Sequence, residues 1–492
     1  MGIETAGHQV KARHGYHPRV DVKVSVTNLG PIRSVELDLR PLIVLLGANN
    51  TGKTYFATVV HRLLDAANSS NLRRRRTRST QLPPQLERLF SPRYTATHRV
   101  AGSRLPLEVP DFVPNSTTLG WVRTYLRDAL ESYGEALVTG IEYAFGVQGS
   151  ELCRRTPSGH RASGGSRVTV TSSDPEWTVE VNLGTGVVTA SPPKPLEWLN
   201  RFIEATRRSG GSEMFDRVLG YTLGSDPVLF NGWPERAVHL PAGRTGIMQS
   251  YQVLASTVVR QSTAAGIRPI EVPTLPGTAA DFLSLLLSLP RARYRPGRER
   301  RSRVLTAVKK FEDELAVHVE VDPELGASEV HAVMPEGRFP LSRTSSMVSE
   351  LAPILLTARH LLGFRDHLTV DEPEAHLHPA MQTATARFFA SLLRSDVRLV
   401  ITTHSDYFVT ELNNLIRAGA LRKSELQPTL FADAVEPTMV TALRFERSRR
   451  GCIAEPLIVD PINGIDESTF GDVVETLYRE SMALTDALND EA

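Results

Sequence analysis

Four short segments of the sequence hold residues that could act together on a phosphate chain. Gly47-Ala48-Asn49-Asn50-Thr51-Gly52-Lys53-Thr54 follows the pattern GxxxxGK[ST]. Glycines let a backbone pass close to phosphate with its N–H groups turned inward. Gly47, Asn49, Asn50, Thr51 and Gly52 are therefore expected to line a nucleotide. Lys53 is expected to reach the β- and γ-phosphates, and the Thr54 hydroxyl to ligate Mg²⁺. Leu368-Thr369-Val370-Asp371-Glu372 delivers two carboxylates after an apolar run. Asp371 is expected to hold Mg²⁺ through water. Glu372 is expected to polarise the attacking water as general base, a role worth roughly 10²–10⁴ in rate. Alone, such a pair is an ordinary solvated strand end, and the phosphate-binding pattern gives it meaning. Val400-Ile401-Thr402-Thr403-His404-Ser405 ends another apolar run in polar residues. His404 could sense the γ-phosphate; by itself it would read as a satisfied loop histidine. Thr344-Ser345-Ser346 precedes a helical pattern. Serine is a favoured N-cap, and the same free N–H groups bind anions. Capping and phosphate contact both stay open for Ser345 and Ser346.

These residues need a scaffold, and hydrophobic periodicity supplies its outline. Val20, Val22, Val24 and Val26 alternate with mostly polar residues, and so do Val35, Leu37 and Leu39 after Asn28-Leu29-Gly30-Pro31. The spacing predicts a β-hairpin. Leu42–Leu46 is continuously apolar, as in a strand buried on both faces. Tyr55, Phe56, Val59, Val60, Leu63 and Leu64 then repeat at helical spacing. Strand, glycine loop and helix thus follow in the order a phosphate cradle requires. Composition changes near Asn68. Residues 68–235 are expected to form an insertion with its own helices and a small antiparallel sheet, without the heptads of a coiled-coil arm. Strands and helices alternate again from about Val238, which signals α/β architecture. The spacing of Phe470, Val473, Val474, Leu477, Tyr478, Leu484 and Leu488 predicts a C-terminal helical tail.

Composition narrows the classes. The 56 basic and 55 acidic residues nearly cancel, which argues against a surface that coats nucleic acid throughout. Local patches remain, at Arg73–Arg76 with Arg78, and at Arg291, Arg293, Arg295, Arg298, Arg300, Arg301 and Arg303. They fit either a solvated loop or a footprint for nucleic acid or a partner protein. The two cysteines, Cys153 and Cys452, are far apart, so neither a disulfide framework nor a thiolate zinc site is expected. Met1–Val20 has no apolar signal core, and no apolar run approaches a membrane span. A cytoplasmic location is the expectation.

In their order, Gly47–Thr54, Ser345–Leu351, Asp371–Pro379 and Thr403-His404-Ser405-Asp406 resemble the ABC-type ATPases of the RecF, SMC and OLD group. The run Asp-Glu-Pro-Glu-x-His-Leu-His-Pro with Thr-His-Ser is similar above all to stand-alone AAA-type ATPases of bacterial defence loci. The resemblance covers roughly residues 20–67 and 238–460. It implies an α/β P-loop NTPase of ABC/SMC-head type, with an antiparallel β subdomain and an α+β insertion. Residues 1–67 and 236–460 would be the two halves of the head, and 461–492 the tail. Thr344–Ser349 would be a degenerate signature that binds the γ-phosphate of a second copy, and His404 the switch histidine. Glu374–His378 would be the linking D-loop. Leu240-Pro241-Ala242-Gly243-Arg244 resembles a recurrent Pro-Ala-x-Arg segment, and Gln249 is a candidate Q-loop residue. The signature departs from the glycine-rich transporter form, which leaves the efficiency of pairing open. His376 and His378 near Asp371 and Glu374 also admit a metal-cluster reading, but the proline-bounded run favours the D-loop. The implied function is Mg²⁺-dependent ATP hydrolysis by a head that pairs on ATP and switches a separate effector in anti-phage defence. The rival is a RecF-like DNA-repair protein that binds DNA. A nuclease of OLD type is disfavoured, because the residues after 460 carry no acidic Toprim-like cluster.

Overall fold

The computed structural model describes residues 22–68, 83–89, 113–155, 165–208, 228–230, 232–250, 275–288, 298–322, 329–421, 433–449, 451–466, 476 and 478–484. β1 (Val22–Leu29) and β2 (Ile32–Asp38) form the expected hairpin, with Val24 opposite Leu37 and Val26 opposite Val35. β3 (Leu42–Gly47) leads through the glycine loop into α1 (Lys53–Ala66). The apolar run of β3 is buried on both faces. Ile43 and Leu45 enter one core, and Leu42, Val44 and Leu46 enter another. A strand that separates two cores has no wet face, hence its lack of alternation.

The remaining elements, in chain order, begin with α2 (Pro84–Leu89), α3 (Ser116–Phe145), β4 (Arg167–Ser173), β5 (Glu176–Asn182), β6 (Val187–Ser191) and α4 (Pro195–Arg208). Then come β7 (Ala237–Leu240), α5 (Gly277–Ser288), α6 (Arg298–Leu315), β8 (His318–Asp322), β9 (Glu329–Met334) and β10 (Gly337–Pro340). α7 (Ser346–His360), β11 (His367–Asp371), α8 (Pro379–Arg394), β12 (Arg398–Thr403) and α9 (Asp406–Ala420) follow. β13 (Val440–Ser448), β14 (Gly451–Leu457), β15 (Val459–Asp460) and β16 (Gly464–Ile465) complete the set.

One sheet of 11 strands runs in the order β6-β5-β4-β1-β2-β14-β13-β3-β12-β11-β7. From β6 to β2 every pairing is antiparallel, and from β13 to β7 every pairing is parallel. The strands of the insertion do not make a sheet of their own. β4 adds to the free edge of β1, with Val170 opposite Val24 and Val168 opposite Val26. The unpaired N–H and C=O groups of that edge demand a partner, and valines then continue one buried face across the joint. α3 packs on α1, where the buried Tyr133 hydroxyl donates to the Leu63 carbonyl at 3.2 Å. Arg62 of α1 pairs with Asp281 of α5, and its guanidinium lies 5.2 Å from the ring centre of Tyr143 of α3.

A separate three-stranded sheet, β10-β9-β8, precedes α7. The C-terminal segment opens on the antiparallel pair β15–β16 before residues 478–484 turn helical. Among the described residues no helix is long and apolar enough to cross a membrane.

Candidate active site

Strand register brings the separated motifs to one edge. Leu45 pairs with Thr402, and Thr402 pairs with Asp371, so β3, β12 and β11 end side by side. Their following loops carry Gly47–Thr54, His404 and Glu372. In an open parallel sheet this carboxyl edge is where ligands gather.

The glycine loop is shaped by its neighbours. Gly47 has φ 135°, and a Cβ there would stand 2.3 Å from the carbonyl oxygen of Phe445 on β13. Only glycine satisfies both constraints. Ala48, Asn49 and Asn50 are exposed, whereas Thr51 is buried and donates its hydroxyl to the Ala48 carbonyl at 2.8 Å. Gly52 caps α1 in a left-handed conformation with no side-chain hydrogen bond to the helix. Among the described residues, no backbone carbonyl accepts from the N–H groups of residues 49–54. A helix start with free donors suits an anion. The Lys53 ammonium curls back to the carbonyls of Gly47 and Ala48, at 2.6 and 2.7 Å. Burial lowers its pKa, and the charges of Glu372, Glu374 and Asp371 raise it again. Thr54 is exposed at the start of α1.

β11 is buried along its whole length. One carboxylate oxygen of Asp371 accepts from the Thr402 hydroxyl at 3.0 Å, and the other stands 2.9 Å from His239 Nε2. Behind this pair the ring of His61 lies 5.2 Å from that of His239. Burial, with the neighbouring charge of His239, pushes the His61 pKa well below its ordinary value. Glu372 has φ 46°, in the left-handed region. Such a conformation costs about 1–3 kcal/mol in a residue with a Cβ and marks functional sites. Its carboxylate takes no hydrogen bond from the described residues, although its N–H donates to the Thr402 carbonyl at 3.0 Å.

Glu374 is buried and serves the histidine loop. One of its oxygens accepts from the Thr403 hydroxyl at 2.7 Å and from the His404 N–H at 2.8 Å. The same oxygen lies 3.3 Å from His404 Nδ1. Burial raises the Glu374 pKa, while the bonds from His404 and Thr403 lower it. The His404 side chain is 44 % exposed and so remains reachable from solvent.

Other sequence candidates fall elsewhere. Ser345 is the N-cap of α7 and accepts from the Val348 N–H at 3.4 Å. Ser345 and Ser346 are both exposed, and no described hydrogen bond or ion pair joins them to the glycine loop. His378 caps α8, accepting from the Ala380 N–H at 3.3 Å, and His376 Nδ1 lies 3.0 Å from Glu350. The two histidines thus have separate structural partners, and among the described residues no His, Cys, Asp and Glu are grouped to hold a metal by themselves. Gln249 is exposed on the helical stretch 244–250. Of the basic runs, Arg73–Arg76, Arg78, Arg291, Arg293 and Arg295 lie outside the described residues, and Arg303 is exposed on α6.

Three residues at this edge had no role assigned from sequence: His239, Thr402 and Arg244. His239 precedes the Pro241–Arg244 segment, and its place beside Asp371 follows only from the pairing of β7 with β11. The Pro-Ala-x-Arg pattern was the one signal for Arg244, and it specified no contact.

Residues 300–409 match the family model of the AAA ATPase domain. That stretch holds Ser345, Asp371, Glu372 and His404, and the glycine loop lies before it. No curated protein matches the chain. Among solved structures, an SMC head bound to the C-winged helix domain of ScpA is similar at 10 % identity and a TM-score of 0.39, covering 90 % of this chain and 99 % of that one. The SMC head domain of Thermotoga maritima gives 10 % identity and a TM-score of 0.36, covering 89 % of this chain and 99 % of that one. An SMC head from Pyrococcus furiosus with an extended coiled coil, bound to the C-terminal domain of ScpA, gives 10 % and 0.36, covering 93 % and 99 %. Residues 300–409 thus match an AAA ATPase domain, within an α/β fold whose parallel strands end at the glycine loop.

Proposed function

We propose that the chain hydrolyses ATP with Mg²⁺ at this sheet edge, and that ATP draws two copies together into a switch for a separate effector protein. One observation supports the reading most. Strand register sets the glycine loop with Lys53 beside the β11 end that carries Asp371 and Glu372, although the segments are remote in sequence. These residue types match the task. The free N–H groups after Gly47 and the Lys53 ammonium bind the β- and γ-phosphates. Gly47, Asn49, Asn50, Thr51 and Gly52 shape the cradle. The Thr54 hydroxyl and the Asp371 carboxylate are hard oxygen donors of the kind Mg²⁺ takes. When bound, the ion supplies positive charge to the phosphate oxygens. Glu372, free of hydrogen bonds from the described side chains, takes the proton of the attacking water. His404, held by Glu374, faces the γ-phosphate as its sensor.

Ser345 and Ser346 stand exposed at the start of α7, without a bond to their own glycine loop. That supports a role toward the nucleotide of a second copy. Helix N–H groups and serine hydroxyls would meet its γ-phosphate. The resemblance to stand-alone defence ATPases extends the reading to anti-phage defence in a prokaryote.

Glu372→Gln tests the assignment. Turnover should fall by roughly 10²–10⁴, and an ATP-bound pair should accumulate, visible as doubled mass in light scattering. Full turnover with no trapped pair would overturn the proposal.

A further inference from the structure

Arg244 is fully enclosed, with 0 % of its side chain exposed. An arginine is buried this deeply only when its donors are used. Here every nitrogen has a partner. Nε donates to the Glu350 carbonyl at 3.2 Å. One terminal nitrogen donates to the Asp371 carbonyl at 2.6 Å and to the Pro241 carbonyl at 3.4 Å. The other donates to the Glu372 carbonyl at 3.1 Å and stands 3.0 Å from Glu350 Oε2.

The guanidinium thus joins two elements that share no strand pairing. One is the chain leaving β11, and the other is α7. The backbone of Glu372 is clamped on both sides. Its N–H rests on the carbonyl and the hydroxyl of Thr402, at 3.0 and 3.2 Å, and its carbonyl rests on Arg244. The clamp holds a left-handed conformation, and the Glu372 carboxylate projects from wherever that backbone is fixed. Glu350 also reaches the loop beyond Glu372, because its Oε1 lies 3.0 Å from Nδ1 of His376. Glu350 sits in the second turn of α7, whose first turn is capped by Ser345.

We infer that Arg244 is a positioning residue for hydrolysis: it sets the backbone of Glu372 and, through Glu350, ties that setting to the Ser345–Ser346 end of α7. Contact at that end then alters the aim of Glu372 through a rigid route of three side chains, Glu350, Arg244 and His376. The inference rests on the reading of Glu372 as the base and of Ser345–Ser346 as the docking end.

The test compares Arg244→Lys, Glu350→Gln, the double variant and His376→Gln in the full-length protein. Lysine keeps the charge but cannot reproduce the planar fork. Arg244→Lys should lower kcat about 100-fold, the cost of a misplaced catalytic group. Its Kd for ATP should stay within about threefold, because the phosphate cradle is untouched. The losses of Arg244→Lys and Glu350→Gln should not add, since both break one link. His376 is 68 % exposed, so His376→Gln should fold normally and lower kcat about threefold, again without weakening ATP binding. Unchanged kcat in folded Arg244→Lys, or fully additive losses, would overturn the inference. If Arg244→Lys does not fold, Glu350→Gln and His376→Gln decide: full turnover in both, with ATP bound, overturns it. Glu372→Gln separates the two levels. Retained turnover in Glu372→Gln removes the proposed function itself. Lost turnover there, beside normal turnover in Arg244→Lys and Glu350→Gln, removes only this inference.

Discussion

His239 and Asp371 meet at 2.9 Å with both side chains shut away from solvent. They stand on the paired strands β7 and β11, and the other Asp371 oxygen is taken by Thr402. A carboxylate gripped on both oxygens has one orientation, and loss of such a support typically lowers metal affinity about 10–100-fold. His239→Ala is therefore expected to raise the Mg²⁺ concentration for half-maximal turnover about tenfold or more. A Mg²⁺ titration of the ATPase rate checks this; an unchanged requirement would show that His239 only fills space.

Lys53→Ala is expected to weaken ATP binding about 100-fold, as removal of a charge-assisted contact to phosphate should. Calorimetric titration with ATP measures it. Tight binding by the variant would contradict the role given to the glycine loop. The fold should survive, because the lysine bonds only to two carbonyls of its own loop.

Gly47→Ala should cost about 2–4 kcal/mol of stability, since it adds backbone strain to a collision. The collision is with the Phe445 carbonyl, 2.3 Å from the added carbon. Chemical denaturation reads the loss, and ATP binding should fail with it. Stability equal to wild type would mean that β13 can retreat from β3 at no cost.

Asp366 gives a pH-dependent outcome. It is buried before β11, and its carboxylate accepts from the Gly363 N–H at 2.8 Å. Burial pushes its pKa up to about 7, against the pull of Arg236. The folded chain thus keeps a proton that the unfolded chain releases near the ordinary carboxylate value, about 3.9. The contribution of this group to stability is greatest below about pH 4, falls as pH rises toward 7, and is level above it. Asp366→Asn removes the slope. Relative to wild type, the variant should gain about 2–3 kcal/mol between pH 5 and pH 8. Denaturation curves at the two pH values decide, and a gap that stays constant would refute the raised pKa.

The parts of the site that could be read from sequence are local. Leu42–Leu46, the glycines and the period of α1 are contiguous, and strand, loop and helix follow from spacing alone. Asp371–Glu372 and His404 were legible for the same reason, each ending an apolar run. Arg244 was not legible as a clamp, because its partners Glu350, Asp371 and Glu372 come from other segments. His239 gained its meaning from the pairing of β7 with β11, which no local pattern states. The strands β4, β5 and β6 were visible as alternation around Val168, Val179 and Val187. Their attachment to β1 was not, since a strand's own sequence does not name the edge it joins. Glu374 illustrates the same gap: expected in a linking loop, it proves to be the acceptor that anchors Thr403 and His404.

The seam between β1 and β4 has a practical consequence for anyone seeking a minimal catalytic fragment. Cutting out residues 68–235 would leave Lys23 to Thr27 without the strand that now covers them. It would also strip α1 of the helix lying over Leu63. A bare valine-rich border recruits whatever strand it meets, including its twin in the next molecule. The excised product should therefore clump rather than work alone, and any trimming should keep 113–208 in place.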